Sequence, residues 1–114
     1  MSRYETLDGS NWEEFIQSPY AVLILGKTTC ENCARWTDEL TAYLETDSEF
    51  VSVRFGKLLL DQPGLIGFKK ANLWLAEVDV LPYNLIYANG EKVKDYAGGG
   101  LSRLQNRLRR IMEG

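Results

Sequence analysis

The residues best suited to covalent chemistry in this chain are Cys30 and Cys33, in the stretch Thr28-Thr29-Cys30-Glu31-Asn32-Cys33-Ala34-Arg35-Trp36. They are the only two cysteines among 114 residues. Such a pair admits three readings: a structural staple, part of a metal site, or a dithiol that cycles through thiol–disulfide exchange. Exchange needs one thiolate that can attack and a second thiol close enough to resolve the mixed disulfide. A structural zinc ion usually takes four nitrogen or sulfur ligands, so two thiolates leave it half empty unless a second chain or two carboxylates complete it. The chain has no histidine, which excludes a Cys–His nucleophile and a C-x-x-C-H haem attachment. Neither a metal nor a cofactor is therefore expected.

Which sulfur attacks depends on the elements that hold the pair. Tyr20 to Gly26, "YAVLILG", is a continuous apolar, β-rich run of the kind a strand covered on both faces needs. Beyond the polar "KTT", residues Cys33, Trp36, Leu40 and Leu44 recur at helical spacing, with Arg35, Asp38, Glu39 and Glu45 between them. The cysteines thus fall at the start of an amphipathic helix, just past the end of a buried strand. Free N–H groups and the positive dipole end there favour a thiolate on the outer sulfur. Cys30 is the expected nucleophile, and Cys33, one turn in, the buried resolving thiol. An unperturbed thiol near pKa ~8.5 is only a few per cent ionised at neutral pH. Glu31 opposes the helix effect and Lys27 partly offsets Glu31, so a modestly depressed Cys30 pKa and a reducing couple are expected. The polar-face phase of Asp38 argues against it as a base for Cys33.

The remaining pattern supplies the frame. Ser10 and Glu13 fit a capping box that opens a helix over about residues 11–17, with Trp12, Phe15 and Ile16 on one face and Pro19 as its stop. Val51, Val53 and Phe55 alternate into "KLLLD", a second buried strand with a kink expected at Gly56. Leu65 to Asn72 reads as a short helix, and Leu73 to Asp79 has no clear period. Asn84 to Tyr87 and Lys92 to Tyr96 read as strands joined by the hairpin turn Asn89-Gly90. Ser102 and Gln105 form a second capping box, followed by Leu101, Leu104, Leu108, Ile111 and Met112 as the stripe of a last helix. The order α, β, α, β, α, β, β, α implies an α/β fold in one domain spanning 1–114. Its mixed central sheet carries helices on both faces, and the late hairpin supplies antiparallel edge strands.

The formal charge of −3 argues against a general nucleic-acid binder. The longest apolar run, Tyr20 to Leu25, is too short for a membrane span. The opening "MSRYETLDGS" lacks a basic segment followed by an apolar one, so a cytoplasmic location is expected. In such a reducing compartment a close cysteine pair is more often catalytic or metal-binding than a staple. Arg103, Arg107, Arg109 and Arg110 crowd the last helix. They read either as a solvated face with cations near a helix C-terminus, or as a dock for an acidic partner.

Over most of its length the chain resembles the thioredoxin superfamily. The resemblance rests on Cys30-Glu31-Asn32-Cys33 after a strand, on "KLLLDQPG" at Lys57 to Gly64 and on "LPYNLIYANGE" at Leu81 to Glu91. "YAGGGLS" before the last helix completes it. It implies a thioredoxin-like fold, a cis peptide bond before Pro82, and a substrate segment that pairs with the backbone of Leu81 as an added strand. Thr29, Leu81, Pro82 and Tyr83 would then form the substrate-binding rim around catalytic Cys30 and Cys33. The implied activity is reduction of protein disulfides in cell redox homeostasis, with a thioredoxin-reductase-like enzyme or a small thiol as electron donor. The departures are specific. Thr29 stands where thioredoxins proper carry tryptophan, and Glu31-Asn32 where they carry Gly-Pro. Ile24 matches a buried acid thought to assist the resolving thiol, so Lys57 lacks the partner that acid would give it. These changes keep open an alternative: a non-enzymatic interaction or redox-sensing module that binds a partner through its Pro82 face.

Overall fold

The computed structural model describes residues 3–113. Five strands form one sheet: β1 (Tyr4–Leu7), β2 (Tyr20–Gly26), β3 (Val53–Leu59), β4 (Tyr83–Ala88) and β5 (Glu91–Ala97). They lie in the order β1-β3-β2-β4-β5. β3 runs parallel to both β1 and β2, whereas β4 is antiparallel to β2 and to β5. The hairpin strands are therefore not both edges: β4 is interior and β5 closes the sheet.

Helices α1 (Trp12–Ile16) and α3 (Ile66–Ala71) cover one face, and α2 (Glu31–Thr46) and α4 (Leu101–Glu113) cover the other. Beneath α2 and α4, Trp36, Leu40, Leu44, Leu104 and Leu108 bury against Val22, Ile24, Phe55 and Ile86. Beneath α1 and α3, Trp12, Phe15 and Phe68 bury against Leu23, Leu25, Leu58 and Leu85. Each fully buried aliphatic or aromatic side chain contributes about 1.5–3 kcal/mol relative to exposure. β2 feeds both layers, which explains why "YAVLILG" shows no alternation.

Several local expectations change. β1 is absent from the sequence-based element order because only Tyr4 and Leu7 of its four residues are buried, a pattern without period two. Its place beside β3 is secured by Arg54, which donates to Glu5 at 2.6 and 2.9 Å and to Glu14 of α1 at 2.6 Å. Neither capping box forms. The Ser10 hydroxyl turns back to Asp8 at 2.6 Å, and α1 starts after Asn11 without a side-chain cap. Ser102 lies inside α4, and the Leu101 amide donates instead to Glu39 of α2 at 3.2 Å. Val51 is 70% exposed and precedes β3, which passes through Gly56 unbroken. The turn Asn89-Gly90 has positive φ at both residues, 53° and 87°, as a type I′ hairpin requires. Leu73–Glu77, unreadable from the pattern, is a 3₁₀ turn with no fully buried residue.

Candidate functional site

Between β2 and α2 the chain makes one tight turn. The Cys30 amide donates to the Lys27 carbonyl at 3.2 Å, and the Leu60 amide ties the end of β3 to Gly26 at 2.8 Å. Asp61 clamps the turn, accepting from the Thr28 amide at 3.1 Å and from the Thr28 hydroxyl. That hydroxyl holds the Asp61 carboxyl below its usual range, with the charge of Lys27 adding to the effect.

Cys30 is the N-cap of α2, in extended backbone, and its Sγ accepts from the Cys33 amide at 3.1 Å. The two sulfurs are joined in a disulfide, with Cα atoms 5.2 Å apart. Cys30 is half-buried and Cys33 only 7% exposed. Gly26 makes room for the inner one: a Cβ there would stand 3.3 Å from both Cβ and Sγ of Cys33.

Beside the disulfide a cavity of about 350 Å³ is lined by Lys27, Cys30, Cys33, Thr37, Asp38 and Lys57, among others. Ile24, 3% exposed, pairs in register with Lys57 and contributes no polar group. The acidic side chain in this cavity comes from α2 instead. Asp38 is exposed, as its phase requires, yet Cys33, Ala34, Thr37 and Asp38 form one stripe along the helix edge that the cavity follows. Phase alone had argued against it.

The Leu81–Pro82 bond is cis. Pro82 lines a groove of about 240 Å³ with Asn32, which lies between the cysteines, and with Arg35, Val80, Leu81 and Gly99. Leu81 also lines a second groove of about 630 Å³, formed with Leu60, Leu75 and Val78. It therefore stands as a ridge between two depressions, one of which reaches Asn32 between the cysteines. The rest of the predicted rim divides. Thr29 is exposed on the turn before Cys30. Tyr83 packs against Trp74, with ring centroids 6.3 Å apart, and Lys92 lies 3.9 Å over that indole.

Two residues that pattern reading passed over position this site: Asp61, through Thr28, and Asn84. Asn84 is the only buried polar residue among the described residues. It accepts from Trp36 Nε1 at 2.8 Å and donates to the carbonyls of Gly98 at 2.6 Å and Tyr96 at 3.2 Å. A lone amide inside the otherwise apolar "YNLIYA" was the signal available for it.

The sequence matches no protein-family model and no curated protein. Its structure is similar to solved thioredoxins. Thioredoxin f2 of Chlamydomonas reinhardtii superposes with a TM-score of 0.75 at 22% identity, covering 95% of each chain. Thioredoxin f from spinach chloroplast gives 0.75 at 16% identity, covering 94% of this chain and 84% of that one. Thioredoxin O2 from Arabidopsis thaliana, in its oxidized state, gives 0.72 at 16%, covering 96% and 95%. The chain has the thioredoxin fold, a mixed five-stranded sheet between two helical layers.

Proposed function

We propose that this protein is a thiol–disulfide oxidoreductase that reduces protein disulfides through Cys30 and Cys33. The observation that carries the reading is the half-buried Cys30, its Sγ held by the Cys33 amide at the start of α2, with Cys33 itself buried. A hydrogen bond from an amide to a thiolate is charge-assisted, so the same donor favours the ionised, attacking form.

In the reductive direction Cys30 thiolate attacks one sulfur of the substrate disulfide. A mixed disulfide forms and the first substrate thiolate leaves. Cys33 loses its proton and attacks the Cys30 sulfur, releasing the second substrate thiolate. The substrate gains two electrons and the protein is left with the Cys30–Cys33 disulfide. A reductase of the thioredoxin-reductase type, or a small thiol, returns the electrons. Asp38 and Lys57 share a cavity with Cys33, so the carboxylate of Asp38 is the group offered to take up the proton, directly or through water. Leu81, on the ridge beside cis Pro82, is suited to pair with an extended substrate segment. Thr29 borders the attacking sulfur. A cytoplasmic, reducing location fits this direction of flow.

A second reading is favoured by Ile24, which leaves the strand beneath the pair without an acid. It makes the protein a binding or redox-sensing module that holds a partner through the Pro82 face. Insulin reduction with dithiothreitol as donor separates the two. The reductase reading expects activity in the parent and none in Cys30→Ser. A parent without activity, or a variant that keeps it, would eliminate the enzyme.

A further inference from the structure

Between β5 and α4, away from the disulfide, lies a cleft of about 390 Å³ lined by Lys94, Arg103, Arg107, Arg110, Asn106 and Ile111. Among the described residues none of its four cations takes part in a salt bridge, whereas Arg109 on the same helix is paired with Glu49 at 2.7 Å. Four cations are thus gathered without a salt-bridge partner among the described residues, in a chain whose net charge is −3. Their mutual repulsion is a cost that an anionic partner would relieve.

The site is also pre-ordered. Arg107 and Arg103 lie over the Tyr96 ring, at 4.0 and 5.0 Å from its centroid. Stacking of this kind restrains long side chains before a ligand arrives and lowers the entropy lost on binding. Arg107 further donates to the Arg103 carbonyl at 3.3 Å. Arginine forks suit carboxylates, which they bind bidentately.

Spacing selects the occupant. Arg103, Arg107 and Arg110 stretch over about 10 Å of helix at 1.5 Å per residue. A single small anion reaches only part of that row. An extended peptide places alternate side chains about 6.6 Å apart on one face, so two or three of its carboxylates can engage the row together. The cleft also approaches the redox groove. Arg103 donates to the carbonyls of Gly99 at 3.4 Å and Ala97 at 3.3 Å, and Gly99 lines the groove that holds Pro82.

We propose that the β5–α4 cleft docks an acidic, extended segment of the protein whose disulfide is exchanged. The proposal rests on the oxidoreductase reading and assigns a substrate class to it: protein disulfides with an Asp/Glu-rich stretch nearby. The test measures binding of a fluorescent peptide with alternating Glu residues, against its Gln counterpart, by anisotropy at low and high salt. Arg110→Glu is the principal variant because Arg110 is exposed and, among the described residues, takes part in no salt bridge. Arg109→Glu is the control on the same helix, and inorganic tripolyphosphate the competing probe. The acidic peptide should bind at least about tenfold tighter than the Gln peptide, weaken with salt, and lose about tenfold in Arg110→Glu but not in Arg109→Glu. Equal binding of the two peptides, equal loss in both variants, or binding of tripolyphosphate without the peptide would overturn the proposal. Disulfide exchange is read separately with a small neutral disulfide, which Arg110→Glu should process as the parent does. Peptide docking without any exchange keeps the cleft and removes the oxidoreductase reading, whereas exchange without docking does the reverse.

Discussion

The indole N–H of Trp36 donates to Asn84 Oδ1 across 2.8 Å, joining the helix that opens at the cysteines to the strand that follows Pro82. Asn84 is fully buried, and its amide nitrogen holds the Gly98 carbonyl at 2.6 Å. The Gly98 amide in turn donates to the Pro82 carbonyl at 2.8 Å. One side chain thus connects the cysteine-bearing helix, the proline turn and the loop before α4.

Removing Asn84 takes their side-chain partner from Trp36 Nε1 and from the part-buried Gly98 carbonyl, each loss costing about 1–3 kcal/mol. Asn84→Ala is expected to lower unfolding free energy by at least about 2 kcal/mol in urea titrations. Asn84→Leu combined with Trp36→Phe removes both the acceptor and the indole donor, and should recover part of that loss. A double variant no better than Asn84→Leu alone would show that the amide's grip on Gly98 dominates.

Asp38 shares its cavity with Cys33 and Lys57, so it should act on resolution rather than attack. Asp38→Asn is expected to slow breakdown of the Cys30 mixed disulfide by about tenfold or more, within the range of general-base effects. Formation of that mixed disulfide should change little. Stopped-flow traces with a chromogenic disulfide separate the two phases. A variant with the parent pH profile in the second phase would assign deprotonation of Cys33 to solvent.

Stability should fall in acid through Asp47. Burial works against its charge, but the Tyr43 hydroxyl at 2.7 Å, the Phe50 amide at 3.0 Å, Arg3 at 3.0 Å and the Glu49 amide at 3.0 Å outweigh it. The folded carboxyl is therefore held below the unfolded value near ~4. Its contribution is complete above that unfolded value and is lost as pH falls through the lower folded one. Urea midpoints of the parent should drop in that acid window. Asp47→Asn should be less stable at neutral pH and show a flatter acid limb. Parallel limbs for the two proteins would rule out this residue as the source.

Local pattern carried the cysteine helix, the buried strand before it and the hairpin, because each depends on neighbours in sequence. Cys33, Trp36, Leu40 and Leu44 are all buried at the helical spacing they show in the chain. Failures arose where a distant partner decides. Glu39 of α2, not Ser102, receives the first amide of α4, and Arg54 anchors a strand too short to display a period. Asp61 meets Thr28 across 33 positions, and no spacing rule connects them. Asp38 was legible as an exposed helix residue, but that it borders a cavity with Lys57 follows only from how α2 lies against β3.

The division of labour between the two sulfurs is tested most directly by trapping. Cys33→Ser, incubated with an excess of a protein disulfide and analysed by mass spectrometry, should accumulate a covalent adduct mapped to Cys30. Cys30→Ser should accumulate none under the same conditions. An adduct on Cys33, or no adduct in either variant, would contradict the account.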